Sequence, residues 1–255
     1  MDPVALAARG ESVWHRLGLA ALGVGWVEQD GVARRTGPST PVFLGALSLR
    51  AGVPAARIAG AVAGLEGEVA VRDSGGTEDL GPFGFVLQDR EPWMLRPPGT
   101  FRPPSRLLPG LRVAPCRTPA DVELFERTSV EAFTGSTASW VPGAIHPPAA
   151  SLRVPGLTLL LARLDDQPVG TAIAATDGTV LNVAGVAVVG QARRQGIGAH
   201  LTLACLATAP TLPTVLSSSE DGHPVYNALG FRDVGPSALW WRPAVTARPA
   251  ASRRF

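Results

Sequence analysis

Residues 181–198 hold the densest chemical signal in the chain. The run Leu181-Asn-Val-Ala-Gly-Val-Ala-Val-Val-Gly190 reads as a β-branched strand. Gln191-Ala-Arg-Arg-Gln-Gly-Ile-Gly198 reads as a glycine-rich turn, and the run from there to Thr208 as a helix. A strand, a glycine turn and a helix start in that order leave backbone N–H groups without internal partners, all facing outward. They form a socket for a phosphate or pyrophosphate. Gly196 and Gly198 let the backbone approach an anion without a β-carbon in the way, and Arg193 and Arg194 add charge at the mouth. The dinucleotide-binding fingerprint fails, because its third glycine would fall at Leu201. Downstream, the only tyrosine of the chain stands in Pro224-Val-Tyr-Asn-Ala-Leu-Gly-Phe231.

Composition removes competing chemistries. All 23 Lys+Arg residues are arginine, so there is no Walker-A loop, no lysine Schiff base and no kinase-type lysine clamp. The 21 Asp+Glu leave a net charge of +2, spread evenly over both halves, and neither half has a nucleic-acid footprint. His15, His146, His200 and His223 are scattered, as are Cys116 and Cys205. No metal-ligand motif and no G-x-S-x-G elbow occurs, and no metal is expected. Both cysteines lie in apolar runs, which predicts buried free thiols in a reducing cytoplasm. The longest apolar stretch, Leu17–Val27, falls short of the ~18 residues of a membrane span, and Met1-Asp2-Pro3 lacks a basic leader. The expectation is a soluble, cytoplasmic protein with no membrane partner.

Taken together, Arg193-Arg-Gln-Gly-Ile-Gly198 after Val186-Ala187-Val188, and Tyr226-x-x-x-Gly230-Phe231 downstream, resemble the GNAT superfamily of acyl-CoA-dependent N-acetyltransferases. The resemblance covers residues 111–243. It implies acetyl-CoA as co-substrate and a small-molecule or peptide amine as acceptor. The pyrophosphate would sit on the turn formed by Arg193, Arg194, Gln195, Gly196, Ile197, Gly198 and Ala199. Main chain of Val186, Ala187 and Val188 would line the pantetheine arm and polarise the thioester carbonyl. Ser219, where several family members carry Asn, would hydrogen-bond the arm. Tyr226 would protonate the departing thiolate, a role that suits a phenol with an ordinary pKa near ~10. The general base has no fixed place in the family. Glu220 is the leading candidate, beside Asp221, His223 and Glu131, and Asn182 could orient a water. The alternative is a non-catalytic acyl-CoA-binding regulatory module, whose mark would be loss of the acid.

These residues must be held by a mixed α/β frame. Helices are expected at Val4–Leu22, Val53–Ala63, Thr118–Phe133, Arg194–Thr208 and His223–Ala228. Strands are expected at Gly25–Arg35 (a pair), Pro41–Leu49, Leu111–Cys116, Leu157–Arg163, Gln167–Thr176, Thr179–Val188 and Thr214–Ser218. Two or three short strands precede residue 92, and a strand pair closes the chain. Six prolines between Pro92 and Pro109 suggest an extended connector. That divides the chain into residues 1–105, an accessory or degenerate GNAT-like unit, and 106–255, the equipped unit. An internal echo supports a repeat: Gly84-Phe85 precedes Arg96-Pro97 by the interval that separates Gly230-Phe231 from Arg242-Pro243. Coincidence among abundant Gly, Arg and Pro is the competing explanation. In the first half Leu80 stands where Tyr226 stands in the second, and Val53-Pro-Ala-Ala-Arg57 lacks the glycines. Trp140, before a Pro-rich loop from Val141 to Pro155, reads either as a wall of the acceptor site or as an anchor for that loop.

Overall fold

In the computed structural model, which describes residues 2–40, 42–99 and 108–244, the chain opens with helix α1 (Pro3–Ala21). Asp2 caps it by accepting from Ala5 N–H, and Pro3 occupies the first turn, where its missing N–H costs nothing. Strands β1 (Trp26–Gln29), β2 (Val32–Arg35) and β3 (Ala46–Ser48) follow, then helix α2 (Ala55–Ala61), strand β4 (Val69–Asp73), a single 3-10 turn at Gly81–Phe83 and strand β5 (Val86–Arg96). The second half repeats this order in fuller form. It comprises β6 (Leu111–Pro115), α3 (Pro119–Thr134), α4 (Pro148–Ser151), β7 (Leu157–Leu164), β8 (Gln167–Thr176), β9 (Leu181–Val188), α5 (Ile197–Thr208), β10 (Thr214–Ser217), α6 (His223–Ala228) and β11 (Arg232–Arg242). Helix α3 starts at a reciprocal capping box between Thr118 and Asp121, worth about 1 kcal/mol.

Among the described residues, eleven strands form one sheet in the order β1-β2-β3-β4-β11-β5-β10-β9-β8-β7-β6. The halves are interleaved at its centre: β5 of the first half pairs with β10 of the second, and β11 of the second pairs with β4 of the first. The Gly-Phe echo marks this exchange. Gly84 and Gly230 both take left-handed φ, +82° and +91°, Phe85 and Phe231 are both buried, and each is followed by an exchanged strand that runs to the Arg of its Arg-Pro pair. Glu91 and Ser237 stand equally far beyond their glycines and are direct cross-strand partners. A local twofold axis therefore passes between them.

Two expectations change here. The connector does not begin at Pro92, which lies inside β5, opposite Pro236 of β11. Both outer neighbours have ended at that point, β10 at the Ser217–Trp93 pair and β4 at the Ala238–Asp73 pair, so no neighbouring strand needs the missing N–H groups. The expected closing strand pair is one eleven-residue strand, β11, broken only by register shifts. It stays unbroken because it runs between two partners rather than folding back on itself. The rest of the proline-rich connector at 100–107, and the start of the expected strand at Pro41, lie outside the described residues.

Two cores sandwich the sheet. On one face, α5 buries Leu201 and Cys205 against Ala172, Ala174, Leu181 and Val183, together with Met94, Leu216, Tyr226 and Phe231. On the other, α1 covers Trp93, Ala175, Val180 and Val215, while α3 sets Val122 and Phe125 on Leu159 and Ile173. Gly10 lets α1 lie flat on the sheet, since a β-carbon there would collide with Val215. Cys205 is buried as expected, but Cys116 is only partly so, its thiol turned to Asp121 O.

Candidate active site

Strands β9 and β10 run parallel for only two pairs, Leu181–Thr214 and Asn182–Val215, and then separate. A bulge in β9 coincides with the divergence. Ile173 of β8 faces Ala184 but Thr171 faces Ala187, and Gly185 takes a left-handed φ of +58°. Such a bulge bends the strand and increases its twist. Val189 N–H bonds Val169 O on β8, so the peptide groups of Val188 face the opposite edge, toward the gap. At the root of the gap Asn182 is fully buried, and both polar atoms of its amide lack a partner among the described residues.

Beyond β9 the chain makes a 3-10 turn at Gly190–Ala192 and enters α5 through Arg194 and Gly196, both with left-handed φ, +63° and +82°. The helix thus starts at Ile197, three residues later than the expected Arg194, because Gly196 is its left-handed N-cap. No side chain caps it, and the first bonds into the helix run from Ala199 and His200 N–H to Gly196 O. The preceding N–H groups therefore point out of its end. A β-carbon at Gly196 would meet nothing within 4 Å, and one at Gly198 would meet only Val186 Cγ1 at 4.0 Å. Open space thus lies over outward N–H groups at the positive end of a twelve-residue helix, which fits an anionic phosphate group. Arg194 and Gln195 are exposed at this rim, Ile197 is buried, and Ala199 faces it in part. Arg193 departs from expectation. Its Nε donates to Val188 O at 3.0 Å and its Nη2 to Ala132 O at 2.9 Å. These bonds use the guanidinium to fasten the turn to β9 and α3 instead of presenting charge at the mouth.

Tyr226 is placed by the turn between β10 and α6. Ser219 O accepts from both Gly222 and His223 N–H, and Ser219 Oγ accepts from Gly222 N–H at 3.3 Å. The Ser219 hydroxyl therefore serves the turn. A β-carbon at Gly222 would lie 2.8 Å from Tyr226 Cε2, so only glycine lets the ring settle against the turn. The helix is held at its far side by His223 Nε2 to Asp233 Oδ1 (2.8 Å). The Tyr226 ring packs edge-on against Phe231 with centroids 5.9 Å apart, and among the described residues its hydroxyl has no hydrogen-bond partner. Burial, with smaller contributions from Cys205 and the negative charge of Glu91, pushes its pKa up to about 12. Glu220 is exposed in the same turn, Asp221 is exposed and His223 half-buried. Glu131, on α3, is half-buried and its backbone carbonyl accepts from Gly135.

Residues from the first half also reach the gap. Beyond Ser217 the β10 edge of β5 is vacated, and Glu91 stands there on the α1 side of the sheet, with a side chain 20% exposed. Arg72 Nη1 bonds Glu91 Oε2 and Ser237 Oγ, both at 2.9 Å, and Arg72 lies over the Trp93 ring. Behind it, Glu11 Oε1 is 3.5 Å from Arg72 Nε and 3.4 Å from His15 Nε2. The Glu11 carboxyl is held below its usual range by Arg72 and His15 against the opposing effect of burial. Sequence reasoning missed this cluster. The Gly-Phe echo is the signal that could have found it, since it pairs Glu91 with Ser237.

The matching positions of the first half carry different contacts. Ser74 N–H and Oγ bond Ser48 Oγ and Ser48 O, stapling the ends of β3 and β4. Glu78 Oε2 accepts from Ala55 N–H at 2.8 Å, which puts a carboxylate on the N-terminus of α2 where α5 offers an open socket. Leu80, in the place of Tyr226, is fully buried with Phe85 and Trp240. Glu126 organises the loop after α3 by accepting from Trp140 Nε1 and from Gly143, Ile145 and His146 N–H, so Trp140 is an anchor for that loop. A separate cavity of about 400 Å³, lined by Arg9, Val13, Arg16, Glu28, Leu49 and Asp177, shares no residue with the gap. No group of three metal-ligating side chains occurs among the described residues. No described helix is long and apolar enough to cross a membrane.

Residues 130–239 match a family model described as an acetyltransferase (GNAT) domain. A GCN5-related N-acetyltransferase from Kribbella flavida has the same fold with a TM-score of 0.62 at 22% identity, over 94% of this chain and 96% of that one. A protein assigned to the GNAT family from Novosphingobium aromaticivorans matches with a TM-score of 0.58 at 18% identity, over 94% and 99%. A conserved protein of unknown function from Staphylococcus epidermidis matches with a TM-score of 0.58 at 10% identity, over 87% and 95%. The likeness of fold therefore extends across both halves. No curated protein matches the sequence.

Proposed function

We propose, from the match of residues 130–239 to an acetyltransferase (GNAT) domain model, that the chain transfers an acetyl group from acetyl-CoA to an amine acceptor. The observation that carries this reading is the combination, in one half of the chain, of an open helix N-terminus at α5, a splayed β9 and a buried tyrosine whose hydroxyl has no partner among the described residues. The N–H groups of the turn from Arg194 to Gly198, with the Arg194 side chain, would hold the pyrophosphate. Val186, Ala187 and the Val188 N–H, along the freed edge of β9, would hold the pantetheine arm and polarise the thioester carbonyl. When bound, acetyl-CoA supplies the activated acyl group, and the residues supply orientation and proton handling.

Tyr226 suits the acid role because its raised pKa keeps it protonated at any physiological pH. Its donation to sulfur is completed when a proton from the newly acylated nitrogen, far more acidic than a phenol, returns to it. The regulatory alternative predicts loss of this acid, and Tyr226 is present. Calorimetric titration tests the co-substrate assignment: acetyl-CoA and CoA should bind with micromolar affinity and acetyl-phosphate should not. Failure of acetyl-CoA to bind would overturn it.

A further inference from the structure

We propose that Glu91, brought from the first half on the exchanged strand β5, is the group that accepts the ammonium proton of the acceptor amine. This rests on the acetyl-transfer reading and assigns the base that reading leaves open. Three observations place Glu91 for the task. The pairing of β5 with β10 ends at Trp93–Ser217, and Ser218 N–H bonds Pro92 O, so Glu91 is the first residue of β5 on the α1 side past the last strand bond to the second half. It lies on the α1 face, beside Arg72, Trp93 and Glu11, whereas Tyr226 packs among Cys205, Met94 and Phe231 on the α5 face. The negative charge of Glu91 nonetheless contributes to raising the Tyr226 pKa, so the two groups lie within electrostatic reach of one another. Finally, Glu91 Oε2 is held by Arg72, while Oε1 has no partner among the described residues and the side chain is 20% exposed.

A carboxylate on one face and a phenol on the other would bracket a thioester lying between them. The acceptor ammonium gives one proton to Glu91, directly or through one water, and the freed lone pair forms the C–N bond as the C–S bond breaks. The departing sulfur takes the phenol proton of Tyr226. The second proton released by nitrogen returns to Tyr226 through water, and Glu91 passes its proton to solvent. The other charged groups facing Glu91 are Arg72 from β4 and, behind it, Glu11 and His15 from α1. Arg72 fixes the carboxylate by one oxygen. Glu220, by contrast, is exposed in the turn and makes no hydrogen bond among the described residues.

The test is Glu91→Gln, which preserves shape and an acceptor for Arg72, assayed with two acceptors. On an alkyl amine, which is an ammonium ion at neutral pH, kcat/KM should fall by ~10²-fold, the usual share of a general base. On a weakly basic aromatic amine, already neutral, it should fall less than threefold, and the affinity for acetyl-CoA should not change. Equal losses on both amines would mean a merely structural role, and no loss on either would mean the base lies elsewhere; both overturn the inference. Glu220→Gln, run in parallel, should show no preference for the ammonium acceptor. If E91Q does not fold, Glu91→Asp carries the same comparison, since it keeps the charge beside Arg72 but shortens the reach. A wild-type protein that releases no thiol with either amine refutes the acetyl-transfer reading itself, which is a separate result.

Discussion

Replacing Tyr226 by Phe removes one hydroxyl and little else. The ring is buried and packs edge-on against Phe231, contacts that phenylalanine keeps, and the hydroxyl has no hydrogen-bond partner to orphan. Stability should therefore stay within about 0.5 kcal/mol of wild type by urea unfolding. Turnover should not. A positioned general acid contributes ~10²- to 10⁴-fold, so the barrier should rise by about 3–5 kcal/mol, read as the rate of thiol release from acetyl-CoA at saturating amine. Affinity for acetyl-CoA, which the proposed function assigns to main-chain groups of 186–198, should be unchanged, which confines the loss to kcat. The pH dependence is a second constraint. With a pKa near 12, the acid form persists through pH 10, so wild-type kcat should show no alkaline fall below that pH. Unchanged turnover in Tyr226→Phe, or an alkaline limb near pH 8, would refute the acid assignment.

Other perturbations separate binding from folding. Gly198→Leu should abolish acetyl-CoA binding by calorimetry while leaving thermal stability equal or slightly raised, because the side chain enters open space on a helix that glycine weakens by about 1 kcal/mol relative to alanine. Gly222→Ala should cut turnover at least tenfold without loss of affinity, since its β-carbon would crowd the Tyr226 ring and push the phenol out of line. His146, packed against Phe43 and Phe125, has its pKa lowered to about 4 by burial. The unfolded chain takes up this proton near pH 6.5 and the folded chain only near 4, so stability present above pH 6.5 is lost as pH falls to 4, by about 3 kcal/mol. Urea unfolding at pH 7 and 4.5 should show a smaller acid loss in His146→Leu, with buried His15 and the lowered carboxyl of Glu11 still contributing in the same direction.

Much of the second half is legible in the sequence because its signals are local. Periodicity gives the strands, Thr118-Pro119 gives the start of α3, and Gly196 and Gly198 mark the turn into α5. The interleaving of the halves is not local. Nothing in Val86–Arg96 says that its partners are β10 and β11, and Pro92 argues against a central strand until the Pro236 pairing is seen. For the same reason Glu91 is invisible as a site residue, while Glu220 attracts attention by being near Tyr226 in sequence alone. The role of Arg193 misleads for a related reason. An arginine beside a phosphate turn suggests charge for the phosphate, but its reach to Val188 O and Ala132 O depends on where α3 ends in space. In the first half the sequence shows which groups are absent without showing what stands in their place. The missing glycines and Leu80 are readable, whereas Glu78 capping α2 and the Ser48–Ser74 staple are tertiary.

The central claim is that this site moves an acetyl group from CoA to an amine. It is tested most directly by incubating the purified protein with acetyl-CoA and a panel of amines, amino acids and peptides, with thiol release and mass spectrometry read together. The account predicts that at least one amine yields free CoA and acetylated product in equal amounts, and that Tyr226→Phe suppresses both. Acetyl-CoA that binds tightly but releases no thiol with any acceptor would contradict it and leave the regulatory module in its place.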